Sequence, residues 1–284
     1  MAYGDFFRIH SNIGAFNALS ALRAVTRAQA ATQVRLATGR RINEVADDPA
    51  GFVIARRLEA RTRGLAAALD NVGTAKNLLA TAEGGLQNIS EILLTVKEKV
   101  TQAASDTLSS AERTAIRTEI TQLTSEIDDV VEETTFNRRK LIDGTFSGVR
   151  FQTGAAPGNV LRVDLNRNNN ATGLNIASSA VANRVLTATG AGSALTSVDT
   201  AIERVSDSLQ QVGALVGRLS VKESTLSTGI INNTATKSRI EDADLAREQL
   251  RATQLSILMQ TATAQLAQAN VLPASVLFLV RNRR

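Results

Sequence analysis

The sequence predicts a mainly α protein, an elongated bundle of long coiled-coil helices with a small β-hairpin region, whose two ends pair as a helical inner domain. The first indication is composition, because aromatic residues make up 3% of the 284 residues and only three prolines occur. Few bulky side chains, together with many good helix formers, favour helices packed closely through small residues. The second is a heptad periodicity in several segments, and the third is one segment that alternates like a pair of β-strands.

A coiled-coil seam begins near the amino end of the sequence, and a similar one lies near the carboxyl end. Both space their less polar residues in alternating steps of three and four, the pattern of helices that pack lengthwise. The amino-terminal seam consists of Ala15, Ala18, Leu22, Val25, Gln29, Thr32 and Leu36. The carboxyl-terminal seam consists of Leu255, Leu258, Ala262, Gln265, Ala269, Leu272, Val276 and Leu279.

These terminal seams are weak because they contain Ala, Gln and Thr. Burying an alanine gains far less than the roughly 1.5 to 3 kcal/mol of a leucine or valine, whereas ordering the backbone of one residue costs about 1 to 2 kcal/mol. We therefore expect both ends to be disordered in the monomer and to fold against neighbouring copies. The residues expected to pack in this inner core are Leu22, Val25, Leu36, Leu255, Leu258, Ala262, Leu272, Val276 and Leu279.

After the amino-terminal seam, the sequence DDPAG places two carboxylates, a proline and a glycine within residues 47–51. Asp47 and Asp48 are candidates for acid–base work or for a divalent metal, but two adjacent carboxylates without further ligands make a poor site. The alternative is a helix start, in which Asp48 accepts free backbone N–H groups and Pro49 loses no needed donor. Ala50 and Gly51 would then let another chain approach closely. The pattern favours this structural role, without catalytic, metal or cofactor-binding residues.

Three internal segments have stronger seams of Leu, Ile and Val. Ser109 and Glu112 have the spacing of a capping box, which predicts that the helix of the second segment starts just after Ser109. The first seam is Leu79, Ala82, Leu86, Ile89, Leu93, Val96, Val100 and Ala103. The second is Ile116, Ile120, Leu123, Ile127 and Val130, and the third is Val198, Ile202, Val205, Leu209, Val212, Val216 and Leu219.

A β-hairpin is predicted between the second and third internal helices. The helical pattern stops after Val130, and residues 145–165 alternate in strand fashion around a turn that contains Gly and Pro. Residues 166–192 are rich in Asn, Ser, Ala and Gly, and fit loops and short strands before the third internal helix.

The amino-acid composition also excludes several kinds of metal and catalytic site. Without cysteine, the chain has no disulfides, thiolate metal sites or cysteine nucleophiles, and one histidine is too few for most zinc sites and for histidine-based acid–base schemes. The net charge of +5 is dispersed, which is typical of a solvated surface. No run of 18 or more apolar residues predicts a membrane span, and the amino terminus lacks the pattern of a general secretory signal.

Four motifs, in order along nearly the whole chain, resemble those of bacterial flagellin, the subunit of the flagellar filament. One departure is His10, which stands where the family usually has asparagine. The motifs are Ile9, Asn12 and Ala15 in an I-x-x-N-x-x-A pattern; RLATGRRIN followed by DDPAG in residues 35–51; TTFNRRKLIDGTF in residues 134–146; and SRIEDADLAREQ, LAQAN and a Pro-interrupted VLPASVLFLVR in residues 238–281.

The resemblance implies an inner domain made of residues 1–47 and 238–284, and a rod domain made of residues 48–237. The interval after the hairpin is too short for the outer variable domains of larger family members, so a short form is expected. The implied function is self-polymerisation into an extracellular filament for swimming motility. The implied partners are further copies of the chain, the filament cap protein, hook-filament junction proteins and an export chaperone at the carboxyl end. Export would use the flagellar type III apparatus, without a cleaved signal peptide.

Many flagellins are recognised by the innate immune Toll-like receptor 5. At the positions that correspond to the recognised region, Thr95 replaces a family arginine, Lys99 replaces a family leucine, and Glu119 keeps the family glutamate. Losing the arginine and placing a charge at an apolar anchor would remove hot spots of binding. The resemblance therefore implies weak or absent activation.

Three alternatives remain open at the level of sequence. The hook-filament junction protein shares the terminal pattern, although the rod motifs and the carboxyl end match flagellin more fully. A cytoplasmic chemoreceptor-like signalling coiled coil would also be rich in such heptads, but it would run as one unbroken hairpin. A helical DNA-binding protein would show salt-dependent binding to duplex DNA. Neither nucleic acid nor a membrane is expected as a partner.

Overall fold

The computed structural model describes residues 11–177 and 180–281, with residues 272–281 described through their backbone only. Ile9 and His10 therefore lie outside the described residues. The helices are α1 (Ile13–Thr38), α2 (Pro49–Ala103), α3 (Ser110–Glu133), α4 (Ala188–Glu241) and α5 (Leu245–Arg281), and a short 3-10 helix spans Arg184–Leu186. The strands are β1 (Thr135–Phe136), β2 (Arg139–Lys140), β3 (Phe146–Gln152) and β4 (Val160–Leu165). The mainly α fold class with a small β-hairpin region is confirmed.

The chain divides into two compact units. The terminal unit consists of residues 1–60 and 232–284, and the central unit consists of residues 61–231. The expected domain limits at residues 47 and 238 both fall inside the terminal unit. The reason is that the first turns of α2 and the last turns of α4 contribute to this unit, as the ion pair of Glu59 with Lys237 illustrates.

The core of the central unit is formed by the internal seams. Every residue of the first seam, from Leu79 to Ala103, is buried, and those of the other two are buried or partly buried. Within this unit Lys76 pairs with Glu223 at 2.8 Å and Lys97 pairs with Asp199 at 2.8 Å. Because the α4 partner moves backward in sequence as the α2 residue moves forward, the two helices run antiparallel.

The start of α3 is fixed by the predicted capping box. The Glu112 N–H donates to Ser109 Oγ at 3.3 Å, and the Ser109 N–H donates to Glu112 Oε2 at 2.8 Å. The same Ser109 N–H and hydroxyl hold the pKa of Glu112 below its ordinary value. Arg113, which is buried, closes the turn before the helix by donating to the backbone oxygens of Ala103 and Ser105.

Two hairpins follow α3. The small hairpin of β1 and β2 turns at Asn137 and Arg138, which both have positive φ, and sequence periodicity gave no sign of strands this short. The predicted larger hairpin is present: β3 and β4 pair antiparallel, with an irregularity between Phe146 and Val149. Leu161, Val163 and Leu165 on β4 join the core, so the hairpin is anchored by one apolar face.

The segment from the end of β4 to the start of α4 contains loops and the short 3-10 helix, and in its described part the short strands that we expected are absent apart from an isolated bridge between Asn168 and Asp143. Its residues Leu174 and Ile176 are buried in the central core. Among the described residues, no helix is long and apolar enough to cross a membrane.

Candidate functional site

The helices from the two ends, α1 and α5, pack against each other in the terminal unit. The α1 seam lies where the heptads predict it, since Ala15, Ala18, Leu22, Val25, Gln29, Thr32 and Leu36 are buried or half-buried while most intervening residues are exposed. Asn12 ties both helices together, because its Oδ1 accepts the Ala15 N–H at 3.0 Å and its Nδ2 donates to the Ala269 oxygen at 2.8 Å. This pair is narrow, and Thr32 is the fully buried residue of α1.

The α5 seam differs from the prediction at two positions. Leu255 and Ala262 are buried as expected, but Leu258 is 51% exposed and Gln265 is also exposed. Met259 and Leu266 take their places as half-buried residues. The sequence offered both choices, because Leu258 and Met259 are adjacent and either continues an alternating spacing of three and four. Leu272, Val276 and Leu279 belong to the part of α5 whose side chains are not described.

Large apolar side chains also lie on the outward faces of this pair. Phe16 on α1 is 69% exposed, and Leu250 on α5 is 68% exposed. Scattered exposed leucines are ordinary, but long helices that are apolar on more than one face belong in a larger assembly. In the part of the two helices whose side chains the structure describes, the other strongly exposed apolar residues are Val34, Leu245, Ile257, Leu258 and Val271.

Two linkers join this helix pair to α2 and α4, and their backbones bond to each other. Gly39, in the left-handed conformation at φ 69°, ends α1 by donating its N–H to the Arg35 oxygen. The N–H groups of Arg41 and Ile42 then donate to the Glu241 oxygen, and the Ala243 N–H donates back to the Gly39 oxygen at 2.9 Å. The two linkers are therefore ordered together.

The DDPAG stretch lies at the end of the first linker. Helix α2 begins at Pro49, and the Gly51 N–H donates to Asp48 Oδ1 at 2.9 Å, which is N-cap geometry. A Cβ on Gly51 would lie 2.5 Å from Asp48 Oδ2 and 2.8 Å from Ile42 Cδ1. The space that Gly51 leaves is thus filled by residues of the same chain, because the linker folds back and buries Ile42 against the first turn of α2. The close approach of another chain at Ala50 and Gly51 stays a prediction.

Asp47 has a different role from Asp48. Its Oδ2 accepts the Asn43 N–H at 2.9 Å and the Glu44 N–H at 3.2 Å, and its Oδ1 lies 3.4 Å from Arg35 Nη2. The Asn43 N–H, assisted by Glu44 and Arg35, holds the pKa of Asp47 below its ordinary value. Asp47 therefore fixes the linker turn as a carboxylate. An open cavity of about 350 Å³ beside it is lined by Ala31, Val34, Arg35, Asn43, Glu44 and Asp47.

Ion pairs connect the same linkers to the helices, which heptad analysis did not reveal. Arg35 also reaches Glu248 on α5 at 3.7 Å, so one guanidinium joins α1, the linker and α5. Glu241, which is nearly fully buried, pairs with Arg40 at 3.1 Å and with Lys237 at 3.5 Å. Asp244 caps α5 by accepting the N–H groups of Ala246 and Arg247, and its position before the helical run is a sequence signal that could have predicted this cap.

The carboxylates of DDPAG thus both accept backbone N–H groups and hold the linker and the start of α2. Among the residues that the structure describes, no group of three or more His, Cys, Asp or Glu side chains is arranged to hold a metal ion. The arrangement is that of a folded corner which joins two helix pairs.

The positions that the resemblance relates to receptor recognition, Thr95, Lys99 and Glu119, lie on α2 and α3 in the central unit. Lys99 Nζ lies 2.7 Å from Glu119 Oε1, and this carboxylate raises the pKa of Lys99. Thr95 is exposed on the next turn, with its hydroxyl bonded to the Glu91 oxygen at 3.2 Å. Glu119 is therefore already paired within the chain.

Comparison with known proteins finds two family models that match in order. Residues 9–147 match the bacterial flagellin N-terminal helical region, and residues 195–280 match the bacterial flagellin C-terminal helical region. The chain belongs to the bacterial flagellin family. A flagellin of Halalkalibacterium halodurans is 35% identical over 87% of this chain and 90% of its own length. A flagellin of Bacillus subtilis is 34% identical over 96% of this chain and the whole of its own length.

A solved structure extends the likeness to the fold. A Vibrio parahaemolyticus protein assigned as a flagellar hook-associated protein superposes with a TM-score of 0.58, over 69% of this chain and all of that one, at 15% identity. At this identity the likeness shows the fold alone. The relatives from Halalkalibacterium halodurans and Bacillus subtilis are flagellins, which are structural proteins.

Proposed function

We propose that this chain polymerises with copies of itself into the bacterial flagellar filament, and that its terminal helices form the inner contacts between subunits. The observation that carries the proposal is the pair α1 and α5, whose outward faces expose Phe16, Leu250, Ile257 and Leu258. Apolar side chains on the outer faces of a narrow helix pair gain free energy when further copies cover them.

In α1 the cost of ordering the backbone exceeds the gain from buried side chains, and this balance supports folding of the ends on assembly. Each backbone residue costs about 1 to 2 kcal/mol to order, and α1 spans 26 residues with a single fully buried residue. Alanine and glutamine in its seam cannot repay that cost within one chain. Burial of a leucine-sized side chain contributes about 1.5 to 3 kcal/mol, so the exposed side chains of α1 and α5 would repay it in the filament.

The geometry of such a polymer follows from repetition. One surface of each copy contacts a different surface of the next copy, and a contact of this kind that does not close generates a helical filament. Filament formation and shape would then depend on the linker corner, because it sets the directions in which α1 and α2 leave residues 39–48. The family membership and the exposed terminal helices both support this mechanism.

We also propose the accessory partners that the resemblance implies, which are the export apparatus, the cap protein and an export chaperone. Membership in the flagellin family supports extracellular assembly, export through the flagellar type III apparatus without a cleaved signal, and addition at the tip under a cap protein. An export chaperone would cover the carboxyl-terminal helix before export, where Leu250, Ile257 and Leu258 are available to a partner. Co-purification of a small chaperone with the full chain, and its loss when Ile257 and Leu258 are changed to serine, would check this contact.

We also propose that the chain activates Toll-like receptor 5 weakly or not at all. Lys99 forms an ion pair with Glu119, so a receptor cation would have to displace Lys99 in order to bind that carboxylate. A reporter assay with depolymerised protein tests this. The variant T95R/K99L should raise the signal, whereas strong signalling by the unmodified chain would contradict the proposal.

Electron microscopy of the purified chain, before and after seeding with fragments of its own filaments, tests the proposed function. Filaments that elongate from the seeds are expected. A chain that stays monomeric with seeds present, while its circular dichroism shows folded helices, would contradict self-polymerisation.

A further inference from the structure

Two arginines face each other across the larger hairpin. Arg150 on β3 and Arg162 on β4 are direct partners in the register of the strands, and both are exposed. Like charges placed directly opposite each other destabilise an antiparallel pair. The chain therefore carries an unfavourable interaction on the outer face of this hairpin.

Nothing in the described part of the chain compensates this charge, since neither arginine has an ion-pair partner there. Asp164, the acidic residue of the two strands, instead accepts the Gly148 N–H. Lys140 and Arg167 of the central unit are neutralised, since Lys140 pairs with Glu132 at 2.8 Å and Arg167 pairs with Asp207 at 2.9 Å, whereas Arg138 and Arg139 are exposed without an ion pair in the described part of the chain. What distinguishes Arg150 and Arg162 is that two unneutralised cations lie directly opposite each other on paired strands.

Helix α3 carries the complementary charge. Glu126, Asp129 and Glu133 follow each other in steps of three and four, which places them on one face of the helix. All three are exposed, and among the described residues they have no basic partner. Other carboxylates of α3 are paired within the chain, as Glu119 is with Lys99 and Glu132 is with Lys140.

We propose that the Arg150–Arg162 pair of one copy docks on the acidic face of α3, formed by Glu126, Asp129 and Glu133, in another copy. This inference rests on the proposed polymerisation and adds to it a specific contact between central units. A second copy is the occupant because the same chain supplies both surfaces in equal number. The contact is heterologous, as an open polymer requires, and it neutralises a repulsion that exists in the monomer.

Neutral variants separate this role from a merely structural one. In R150Q/R162Q the monomer loses an internal repulsion, so its melting temperature should stay the same or rise. The critical concentration for polymerisation should nevertheless increase several-fold, and it should depend less on salt, because screening acts mainly on exposed charges. A structural role of the two arginines would instead lower the melting temperature.

Charge reversal gives the sharper test. R150E/R162E and E126K/D129K each place like charges against each other in a homopolymer, and each should raise the critical concentration roughly tenfold or more. An equimolar mixture of the two variants can alternate so that every contact is again between opposite charges. The mixture should therefore polymerise at close to the wild-type concentration. R218E, an exposed arginine on α4, is the control for the charge change of R150E and should not be rescued by E126K/D129K.

Three outcomes would overturn the proposal. A mixture no better than the separate variants would exclude the contact, even if wild-type filaments form. Variants that polymerise normally but lose binding to soluble polyglutamate would assign the arginine pair to a foreign anionic partner. A wild-type chain that does not polymerise at all would overturn the proposed function, and this contact with it.

Discussion

The central and terminal units use the same heptad spacing but bury it to different depths. In the central unit Leu79, Leu93 and Val205 are completely buried, and buried residues continue through three long helices and the hairpin. In the described part of the terminal unit the buried apolar residues are Ile42, Ala55, Leu255 and Ala262. This difference supports the proposal that the central unit is stable in a single chain, whereas the terminal unit is completed by contact with further copies.

The linker corner belongs to the terminal unit, and it is held by backbone hydrogen bonds and ion pairs as well as by buried Ile42. Backbone bonds between residues 39–43 and 241–243, together with the ion pairs of Arg35 and Glu241, hold the two linkers together in the folded terminal unit. We expect these contacts to form together with the folding of α1 and α5, so that changes at the corner act on the filament.

The largest expected difference between the units concerns buried leucines. Leu93→Ala in the central unit should lower the free energy of monomer unfolding by about 2 to 5 kcal/mol. The same change at Leu255 should leave monomer unfolding almost unaffected and should raise the critical concentration for polymerisation. Urea unfolding and sedimentation of the polymer measure the two quantities. Equal losses of monomer stability would remove the proposed distinction.

The next largest effect is expected at Leu258, an outward-facing leucine of α5. Leu258→Ala should raise the critical concentration about tenfold, because burial of a leucine against a neighbour contributes about 1.5 to 3 kcal/mol and each 1.4 kcal/mol is a factor of ten. Thr253→Ala, an exposed position on the same helix, is the control and should change little. If both variants polymerise like the wild type, this face of α5 lies outside the subunit contacts.

A change at the corner should act on the filament only. Gly51→Ala forces a Cβ against Asp48 and Ile42 and should cost about 1 to 3 kcal/mol by overpacking. Ala50→Ser, at the exposed neighbouring position, is the matched control. Calorimetry should show an earlier melting of G51A filaments and an unchanged melting of the monomer. Normal filament melting would show that the close packing at Gly51 is absent from the assembled state.

Two helix caps make a similar comparison at smaller magnitude. Ser109→Ala removes a cap in the central unit and should lower monomer stability by roughly 1 kcal/mol. Asp48→Ala removes a cap in the terminal unit, also worth roughly 1 kcal/mol, and should alter filament melting or shape while the monomer melts normally. A D48A monomer destabilised as much as S109A would place the corner in the autonomously folded part.

The smallest expected effect is a dependence on acid. The pKa values of Glu112 and Asp47 are lowered in the folded state, by the Ser109 and Asn43 N–H groups respectively. Their stabilisation is therefore present above the unfolded pKa, about 4 for such carboxyls, and is lost as pH falls through the folded pKa. E112Q should reduce the acid dependence of monomer melting, and D47N should reduce that of the filament only. The opposite assignment would contradict the division into units.

Sequence alone predicted the parts of the fold that depend on local patterns. The seam of Leu79 to Ala103, the Ser109–Glu112 capping box and the hairpin of residues 145–165 are confirmed, because each follows from spacing within one segment. The choice of Met259 over Leu258 was missed, since adjacent apolar residues both fit the heptad and only the packing partner decides. The pairing of Glu241 with Arg40 joins residues far apart in sequence, which no local pattern reveals. The close contact of Gly51 with Ile42 was missed for the same reason.

Amide hydrogen exchange, compared between the monomer and the filament, distinguishes helices that fold in a single chain from helices that fold on assembly. In the monomer we expect the amides of α1 and α5 to exchange rapidly while those of α2 and α4 in residues 61–231 are protected. In the filament all of these helices should be protected. A monomer in which α1 and α5 are protected as strongly as Leu93 and its neighbours would contradict folding of the terminal helices on assembly.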